Sequence, residues 1–225
     1  MERSSLGIVI PAFNEAHTIS EIVALCNKYG RSIVVDDGSI DATGDVAIAS
    51  GAEVIRHDVN KGYDSALQSG FKLANELGCQ YVITIDADGQ HDPTLIVKFS
   101  SLLDAGADVV IGNRNERPRF AEFCFGLFTK ILYGLKDPLC GLKAYRMSLY
   151  EKLGHFDSYQ SIGTELALFA VRNGFKLEQV PVVVRIRADK PRFGHKLCAN
   201  YKIFRAMLLC FIRLNKSISK KNILS

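Results

Sequence analysis

The stretch VITIDADGQHDP, residues 82–93, joins a run of apolar and β-branched residues to a group of carboxylates. Its first half predicts a buried β-strand, because Val, Ile and Thr fit a pleated, covered surface. Its second half places Asp86, Asp88 and Asp92 directly after that strand. Charge at the end of a buried strand is costly unless it serves a ligand or caps a helix. The stretch therefore predicts a site at one edge of a sheet.

Short apolar strands alternate with amphipathic helices along the chain around this stretch. Strands are predicted at residues 6–11, 32–37, 52–57, 80–88 and 108–113, and helices at residues 17–30, 41–50, 63–78 and 93–106. This alternation predicts an α/β fold with a mostly parallel sheet flanked by helices. Ligands of such sheets bind beyond the carboxyl ends of the strands, which is where Asp86 and Asp88 fall.

Size and composition predict one globular unit. The chain has 225 residues, of which 48% are hydrophobic and 23% charged, so we expect one sizeable core. No window reaches the roughly 20 uninterrupted apolar residues of a membrane span, and no signal peptide is recognisable at the first residues. The six cysteines are scattered without a C-x-x-C pair, which favours free thiols in a reducing compartment. We therefore expect a cytoplasmic protein.

The C-terminal part of the chain carries an excess of positive charge. From Arg185 onward there are 11 basic residues and one acid, a net charge of +10, whereas the rest of the chain stands at −6. Residues 197–218 also predict an amphipathic helix. Its apolar positions are Phe204, Leu208, Phe211 and Ile218, and its basic positions are Lys202, Arg205, Arg213 and Lys216.

This basic helix has two interpretations. It binds an anionic membrane surface, which would make the protein peripheral on the inner membrane face, or it packs against the body or a second subunit, as in a homo-oligomer. We divide the chain accordingly into a catalytic domain, residues 1–190, and a basic amphipathic C-terminal segment, residues 191–225.

Spacing disfavours three other kinds of site. An EF-hand needs Gly at the sixth and Glu at the twelfth loop position, but His91 and Val97 stand there when counted from Asp86. A dinucleotide fold needs G-x-G-x-x-G after the first strand, where PAFNE stands instead. Haloacid dehalogenase-type phosphatases carry Thr or Val in place of Gln90. A divalent-cation site that binds a diphosphate remains, with Asp92 as a helix cap.

Six motifs occur in the order seen in family 2 glycosyltransferases of the GT-A fold. They read VIPAFNEAHTI, VVDDGSIDAT, NKGYDSALQSGF, DADGQHDP, GNR and DPLCGLKAYR, and the resemblance covers residues 6–186. The chain is most similar to the branch with the dolichyl-phosphate mannosyl- and glucosyltransferases and their bacterial relatives. The resemblance implies an inverting hexosyltransferase that uses a nucleotide diphosphate sugar, a UDP- or GDP-sugar, and Mg²⁺ or Mn²⁺.

The same resemblance implies roles for individual residues. Glu15 would accept from the ribose, Asp37 would read the base edge and Arg114 would face a phosphate. The implied donor contacts are Pro11, Ala12, Asn14, Glu15, Asp37, Lys61 and Asp86, and the implied cation ligands are Asp86, Asp88 and Gln90. Glu165 stands where hydroxyl-directed relatives carry their base, although it also suits the first turn of a helix. The loop NKGYD departs from the family's N-x-G-K-G form.

Two acceptors are compatible with these motifs. A polyprenyl phosphate is already anionic, whereas a glycan hydroxyl in surface-polysaccharide assembly needs a base. Residues 119–141 are rich in aromatic side chains, which suits either a lipid tail or ordinary core. After the strand-like VPVVVRIR, the element PRFGHKL resembles the family's R-x-G-x-S-K-x element, with His195 in the Ser place. This resemblance implies that Arg187, Arg192 and Lys196 clamp the acceptor phosphate or the leaving diphosphate. We expect a polyprenyl phosphate acceptor and no nucleic-acid partner. A non-catalytic, sugar-nucleotide-binding relative is the other alternative.

Overall fold

The computed structural model describes residues 2–115, 119–185 and 196–221, with side chains of the last helix described at residues 198–212. The strands are β1 (Leu6–Ala12), β2 (Arg31–Asp36), β3 (Glu53–Arg56), β4 (Tyr81–Thr84), β5 (Val109–Arg114), β6 (Lys143–Arg146) and β7 (Leu177–Val182). The α-helices are α1 (Ile19–Cys26), α2 (Thr43–Ala49), α3 (Tyr63–Glu76), α4 (Leu95–Asp104), α5 (Phe120–Tyr133), α6 (Met147–Leu153), α7 (Glu165–Arg172) and α8 (Lys196–Lys221).

The strands form one sheet in the order β3-β2-β1-β4-β6-β5-β7. Only β6 runs antiparallel to its neighbours β4 and β5, and the other pairs are parallel. The predicted α/β fold with a mostly parallel sheet is confirmed. The carboxyl ends of β1, β2, β4 and β5 consequently meet at one edge, which we call the carboxyl edge. Strand β6 was not predicted, because its four residues are too short to show a periodicity.

The end of β4 differs from the prediction, which extended this strand to Asp88. The pairing with β1 stops at Val9 opposite Thr84, and the Ile85 amide donates once more to the Val9 carbonyl at 3.1 Å. Asp86 and Asp88 therefore lie in the loop beyond the sheet. Because neither residue is part of the hydrogen-bonded strand, their carboxylates are not confined to the two faces of the sheet. Both can therefore approach a ligand at the carboxyl edge.

Two apolar layers cover the sheet, one on each face. The first contains buried side chains from α3, α5, α6, α7 and α8, and the second contains buried side chains from α1, α2 and α4. In the first layer the Phe71 ring packs 4.6 Å from Phe156 and 5.7 Å from Tyr145, measured between ring centroids. Aromatic clusters of this kind supply a large share of the buried apolar area.

Helix α3 lies unusually close to the sheet because Gly70 faces β1. A Cβ atom at Gly70 would fall 2.3 Å from Val9 Cγ1 and 3.3 Å from Val35 Cγ2, which no side chain tolerates. This contact fixes the height of α3 above the strands. It thereby fixes the first residues of the helix, Tyr63 and Asp64, beside the carboxyl edge.

Helix α8 packs against α5 through one face only. Ala199, Ile203, Ala206 and Cys210 are buried in that face. The Phe204 ring lies 6.5 Å from the Phe120 ring, and Phe211 lies 6.1 Å from Phe128. The predicted helix is present, but its side chains from residue 213 onward lie outside the described part, as does the predicted domain boundary at residue 190. Among the described residues, no helix combines the length and apolarity needed to cross a bilayer.

Candidate active site

The carboxylate of Asp86 lies at the carboxyl edge, where it is oriented by two side chains from other segments. The Tyr63 hydroxyl, at the start of α3, donates to Asp86 Oδ1 at 3.3 Å. The His91 Nε2 atom lies 3.5 Å from Asp86 Oδ2. Burial opposes ionisation of Asp86, but its interactions with His91, with the Tyr63 hydroxyl and with the charge of Lys143 together lower its pKa below the ordinary value. The carboxylate is thus kept ionised, which its predicted role as a cation ligand requires.

Gly141 forms the floor beneath this carboxylate. A Cβ atom at position 141 would fall 2.0 Å from Asp86 Oδ2, well inside contact distance. The neighbouring Thr84 hydroxyl donates to the Gly141 carbonyl at 2.7 Å, which fixes the approach of the two segments. The sequence alone did not lead us to assign a role to Gly141. The glycine in the motif CGLKAY could have indicated it, because a residue without a side chain allows a close approach.

The loop after Asp86 is held by residues from the end of β7. The Gln90 amide donates to Asp88 Oδ1 at 3.0 Å, which closes a tight turn around Asp88. The Arg185 amide donates to the Gln90 carbonyl at 2.9 Å, and its guanidinium contacts Asp92 at 2.8 Å. Asp92 also accepts from the Thr94 amide at 3.0 Å and from the Thr94 hydroxyl at 2.8 Å. It therefore stabilises the turn that leads into α4, while Thr94 rather than the predicted Asp92 is the N-cap residue.

The residues predicted to face the nucleoside follow β1 at the same edge. Asn14 adopts a left-handed conformation with φ at 55° and accepts from the Ile40 amide at 2.9 Å. The Glu15 amide donates to the Thr43 hydroxyl at 2.8 Å, and its carboxylate accepts from Thr18 at 3.2 Å. Pro11 and Ala12 end the strand itself. These contacts join the end of β1 to the turn after β2, which shapes a concave edge.

Asp37 is buried and accepts from three groups of this protein. His57 Nδ1 lies 2.6 Å from its carboxylate, and the amides of Lys61 and Gly62 donate to it at 2.9 and 2.8 Å. His57 Nε2 lies 3.0 Å from the Ser69 hydroxyl on α3. Asp37 therefore builds the NKGY turn. Whether it also reads a base edge stays a prediction, as does the contact predicted for the exposed Lys61 side chain.

Arg114 ends β5 with its guanidinium paired to carboxylates of this protein. Its Nε and Nη2 atoms donate to Asp137 at 2.7 and 2.9 Å, and Nη2 lies 3.3 Å from Glu122. Burial opposes the charge of Arg114, but these two acids raise its pKa above the ordinary value. Its predicted contact with phosphate stays a prediction, and the structure gives it a local role in fixing α5.

Glu165 begins α7, as the alternative reading of its position predicted. Its carboxylate lies 3.1 Å from His155 Nε2 and accepts from the Ser158 amide and hydroxyl, the latter at 2.9 Å. The remaining predicted residues cannot be compared: Arg187 and Arg192 lie outside the described residues, and Lys196 begins α8 without a described side chain.

The donor set at the carboxyl edge fits a hard divalent cation. Asp86 and Asp88 present carboxylate oxygens, the ligands that Mg²⁺ and Mn²⁺ prefer, and Gln90 adds an amide side chain in the same loop. In the described part of the chain, no three His, Cys, Asp or Glu side chains form a complete cation site. A cation that shares its coordination with substrate phosphates and water needs only a few protein ligands.

Comparison with known proteins decides the family. A sequence profile described as glycosyl transferase family 2 matches residues 7–154. The chain belongs to this family. Its relatives include an uncharacterized protein of Methanocaldococcus jannaschii, 31% identical over 93% of each chain. They also include the UDP-N-acetylglucosamine–dolichyl-phosphate N-acetylglucosaminyltransferase of Methanococcus voltae, 27% identical over 90% of this chain and 94% of that one. The polyprenol monophosphomannose synthase of Mycolicibacterium smegmatis is 28% identical over 78% and 75%.

Solved structures agree with this assignment. Glucosyl-3-phosphoglycerate synthase from Mycobacterium tuberculosis, in complex with Mn²⁺ and UDP-glucose, superposes with a TM-score of 0.73 at 25% identity, covering 91% of this chain and 78% of that one. The fold of this family 2 glycosyltransferase is therefore GT-A, as the resemblance implied. The predictions of family, fold and enzyme class are confirmed.

Replacing Gly141 by alanine should weaken cation binding by this glycosyltransferase. The added Cβ atom would displace the Asp86 carboxylate or β6, and misplacing the surroundings of a metal ligand costs about 10- to 100-fold in affinity. Titration with Mn²⁺ in the presence of nucleoside diphosphate, followed by electron paramagnetic resonance, measures this loss.

Gly44→Ala is the matched control for this substitution. Its Cβ atom would fall 2.5 Å from Asp36 Oδ2, a comparable clash with a carboxylate outside the loop of Asp86 and Asp88, which we call the D-x-D loop. We expect Gly44→Ala to keep the Mn²⁺ affinity even where it lowers the melting temperature. Equal affinities for the wild type and Gly141→Ala would show that Gly141 has no part in placing Asp86.

Proposed function

We propose that this glycosyltransferase moves a sugar from a UDP- or GDP-sugar to a polyprenyl phosphate by a single inverting displacement, with Mg²⁺ or Mn²⁺ held by Asp86, Asp88 and Gln90. Two relatives support the acceptor, since one is a dolichyl-phosphate N-acetylglucosaminyltransferase and the other a polyprenol monophosphomannose synthase. The Mn²⁺ and UDP-glucose complex of a structural neighbour supports the donor and the cation. The observation in this molecule that carries the proposal is a cleft beside the end of β5.

This cleft joins basic and apolar side chains at the carboxyl edge. It has a volume of about 330 Å³, and its lining includes Asn113, Arg114, Phe123, Leu127, Lys130 and Lys136. Lys130 and Lys136 are exposed, as are the rings and methyl groups of Phe123 and Leu127. An amphiphile with an anionic head and an isoprenoid tail matches this lining, since the lysines attract the phosphate and the apolar wall contacts the tail.

On the donor side, the chain's own residues bind and orient the diphosphate sugar. We assign Glu15 to the ribose, Asn14 to the nucleoside and Asp37 to the base edge, and Asp37 also keeps the neighbouring turn in place. Tyr63 and His91 hold Asp86 in the orientation that a cation ligand needs. A bound divalent cation supplies Lewis-acid stabilisation of the departing diphosphate.

On the acceptor side, no strong general base is required. A phosphate monoester oxygen is already anionic near neutral pH, so the site has only to bring it to the anomeric carbon, opposite the leaving diphosphate. Lys130 and Lys136 would attract it electrostatically, and Arg187, Arg192 and Lys196 are the further cations that we assign to this role.

The test is release of nucleoside diphosphate in the presence of Mn²⁺ from a panel of UDP- and GDP-sugars, with and without a short-chain polyprenyl phosphate. We expect release from one donor, and only with the lipid. Inorganic phosphate and the free prenyl alcohol are the controls for the two ends of the acceptor. Release that is independent of the lipid would contradict the proposal.

A second acceptor, a glycan hydroxyl in surface-polysaccharide assembly, is favoured by the setting of Glu165. Its carboxylate is fixed by His155 and Ser158, which is what a general base needs in order to keep one orientation. Donor binding without lipid-dependent turnover would favour this second acceptor. A non-catalytic relative, by contrast, would bind the donor and release nothing with either acceptor.

An exposed apolar surface on α5 and α8 supports membrane association as part of this function. The exposed side chains are Phe120, Phe123, Leu127, Ile131 and Leu132 on α5, and Tyr201, Phe204, Leu208, Phe211 and Ile212 on α8. The sequence from Arg185 onward, which includes α8, carries a net charge of +10, so we propose that the surface rests on an anionic bilayer. This position would bring the cleft at the end of β5 to the depth of lipid phosphates.

The double substitution Ile131→Glu with Leu208→Glu should release the protein from vesicles of anionic phospholipid. These side chains are 73% and 58% exposed, and withdrawing both from a bilayer costs about 3 kcal/mol, or about 10²-fold in partitioning. Co-sedimentation with vesicles measures the partitioning. Val97→Glu on α4, which is 56% exposed on the opposite face of the sheet, is the matched control. If the double variant sedimented with vesicles like the wild type but light scattering showed that a dimer had been lost, the surface would instead belong to a homo-oligomer.

A further inference from the structure

The segment between α6 and α7, residues 157–164, has an unusual backbone. Gln160, Ile162 and Gly163 have φ angles of 57°, 58° and 67°, all in the left-handed region. For a β-branched residue such as Ile162 this conformation is strained, and it persists only where the surroundings hold it. The segment leads directly into Glu165, so whatever holds it also places the start of α7.

Two charged side chains, Asp64 and Lys143, hold this segment by hydrogen bonds to the backbone of Ile162 and Gly163. The Asp64 carboxylate accepts from the amides of Ile162 at 3.1 Å and Gly163 at 2.5 Å. From the other side, Lys143 Nζ donates to the Gly163 carbonyl at 2.5 Å. We call these three hydrogen bonds the 162–163 clamp. A carboxylate thus accepts from two neighbouring backbone amides of the strained turn, and an ammonium group donates to a backbone carbonyl of the same turn.

Both clamp residues keep a charge in surroundings that disfavour it. Burial of Asp64, with the nearby charge of Asp157, raises the pKa of Asp64 to about 6 despite its hydrogen bonds to the segment. Burial lowers the pKa of Lys143 to about 8, although its charged neighbours act in the opposite direction. Buried charges are expensive to keep, and here both are directed at the segment.

The clamp is built on the elements that carry the D-x-D loop. Asp64 follows Tyr63, whose hydroxyl donates to Asp86. Lys143 pairs with Thr84, the last residue of β4 before that loop. The Tyr63 ring also borders the clamped peptide, because a Cβ atom at Gly163 would lie 3.2 Å from Tyr63 Cε1. The position of the segment is therefore tied to the position of the cation ligands.

We propose that Asp64 and Lys143 are positioning residues, whose clamp sets residues 157–165 against the D-x-D loop for the transfer step. Asn14 accepts from the Ile40 amide and the Glu15 amide donates to Thr43, so these hydrogen bonds of the implied nucleoside contacts lie outside the clamp. Loss of the clamp therefore reduces kcat more than it raises the KM of the donor. The kinetic part of this inference rests on the proposed function, and the placement of the segment does not.

The experiment compares Lys143→Met and Asp64→Asn with the wild type in two measurements. Hydrogen–deuterium exchange of residues 157–165 in the free protein should become about tenfold faster, because opening of the segment becomes more frequent. With the nucleotide sugar that the wild type turns over, kcat should fall about 10²-fold with a smaller rise in donor KM, since small misplacements near a reacting centre have effects of that size. Lys143→Arg, which keeps a donor, should recover most of both losses.

Lys72→Met is the control, because it removes the same charge from the exposed surface of α3 and should change neither measurement. Unchanged exchange in both variants would overturn the clamp. A rise in donor KM equal to the fall in kcat, or no recovery by Lys143→Arg in a variant that melts normally, would overturn the positioning role. A wild type that turns over no donor would contradict the proposed function alone, while exchange would still decide whether the clamp holds the segment.

Discussion

Replacing Asp88 by alanine should reduce kcat/KM about 10³-fold in the presence of Mn²⁺. Asp88 is predicted to hold the cation that neutralises the leaving diphosphate, and such stabilisation is worth about 4 kcal/mol, with about 1.4 kcal/mol for each factor of ten. The substitution also removes the hydrogen bond that the Gln90 amide donates to Asp88 Oδ1 at 3.0 Å, which closes a local turn. Release of nucleoside diphosphate, measured over a range of Mn²⁺ concentrations, gives the change in rate and in cation dependence together.

Asp92→Asn is the matched control for Asp88→Ala. It removes one negative charge from the same loop, four residues further on, and asparagine can still accept from the Thr94 amide. We expect kcat/KM and the Mn²⁺ dependence of this variant to stay near those of the wild type. If Asp88→Ala retained full activity, the assignment of the cation to this loop would be wrong, whatever the remaining motifs suggest.

The sequence was sufficient to predict that the motifs meet at one edge of the sheet. Each motif follows a strand, and parallel strands end at one edge, so VVDDGS and DADGQH had to come together once the α/β alternation was recognised. The short antiparallel β6 could not be predicted, because four residues show no periodicity. This strand places Gly141 beneath Asp86, and it places Lys143 within hydrogen-bond distance of the Gly163 carbonyl.

The partners of the site residues were not predictable from motifs alone. Tyr63 reaches Asp86 across 23 positions of sequence, and Asp64 reaches Gly163 across 99. Such contacts depend on how closely α3 approaches the sheet, which is set by Gly70 and Val9. In the sequence, these contacts were indicated only by a departure from the family pattern, since Tyr63 and Asp64 stand where the N-x-G-K-G form has Lys and Gly.

Two residues with implied ligand roles have clear partners within the protein. Asp37 accepts from His57 and from two amides of the NKGY turn, and Arg114 pairs with Asp137. A buried charge needs compensation when no ligand is bound, so a motif that binds a charged substrate must also be neutralised locally. Sequence reasoning assigns such a residue to the ligand because its partner within the protein is not part of the motif.

Replacing Asp137 by alanine should therefore be strongly destabilising. Asp137 is 2% exposed and accepts from the Arg114 amide, Nε and Nη2. Its removal leaves a largely buried guanidinium, 16% exposed, with Glu122 as a more distant partner, and breaking a buried ion pair in this way costs about 3–5 kcal/mol. For a chain of this size we expect the melting temperature to fall by about 10 °C. Thermal and urea unfolding, followed by circular dichroism, measure the loss.

Two variants separate the buried pair from general effects of lost charge. Asp45→Ala breaks the exposed pair with Arg56 and should cost less than about 1 kcal/mol. Arg114→Met combined with Asp137→Leu removes both charges, so it should be less destabilising than Asp137→Ala alone, because no uncompensated charge is left in the interior. If the double variant were the least stable of the three, the pair would contribute attraction beyond its desolvation cost. If Asp137→Ala melted like Asp45→Ala, the guanidinium would have found solvent, and α5 would not depend on Arg114 for its position.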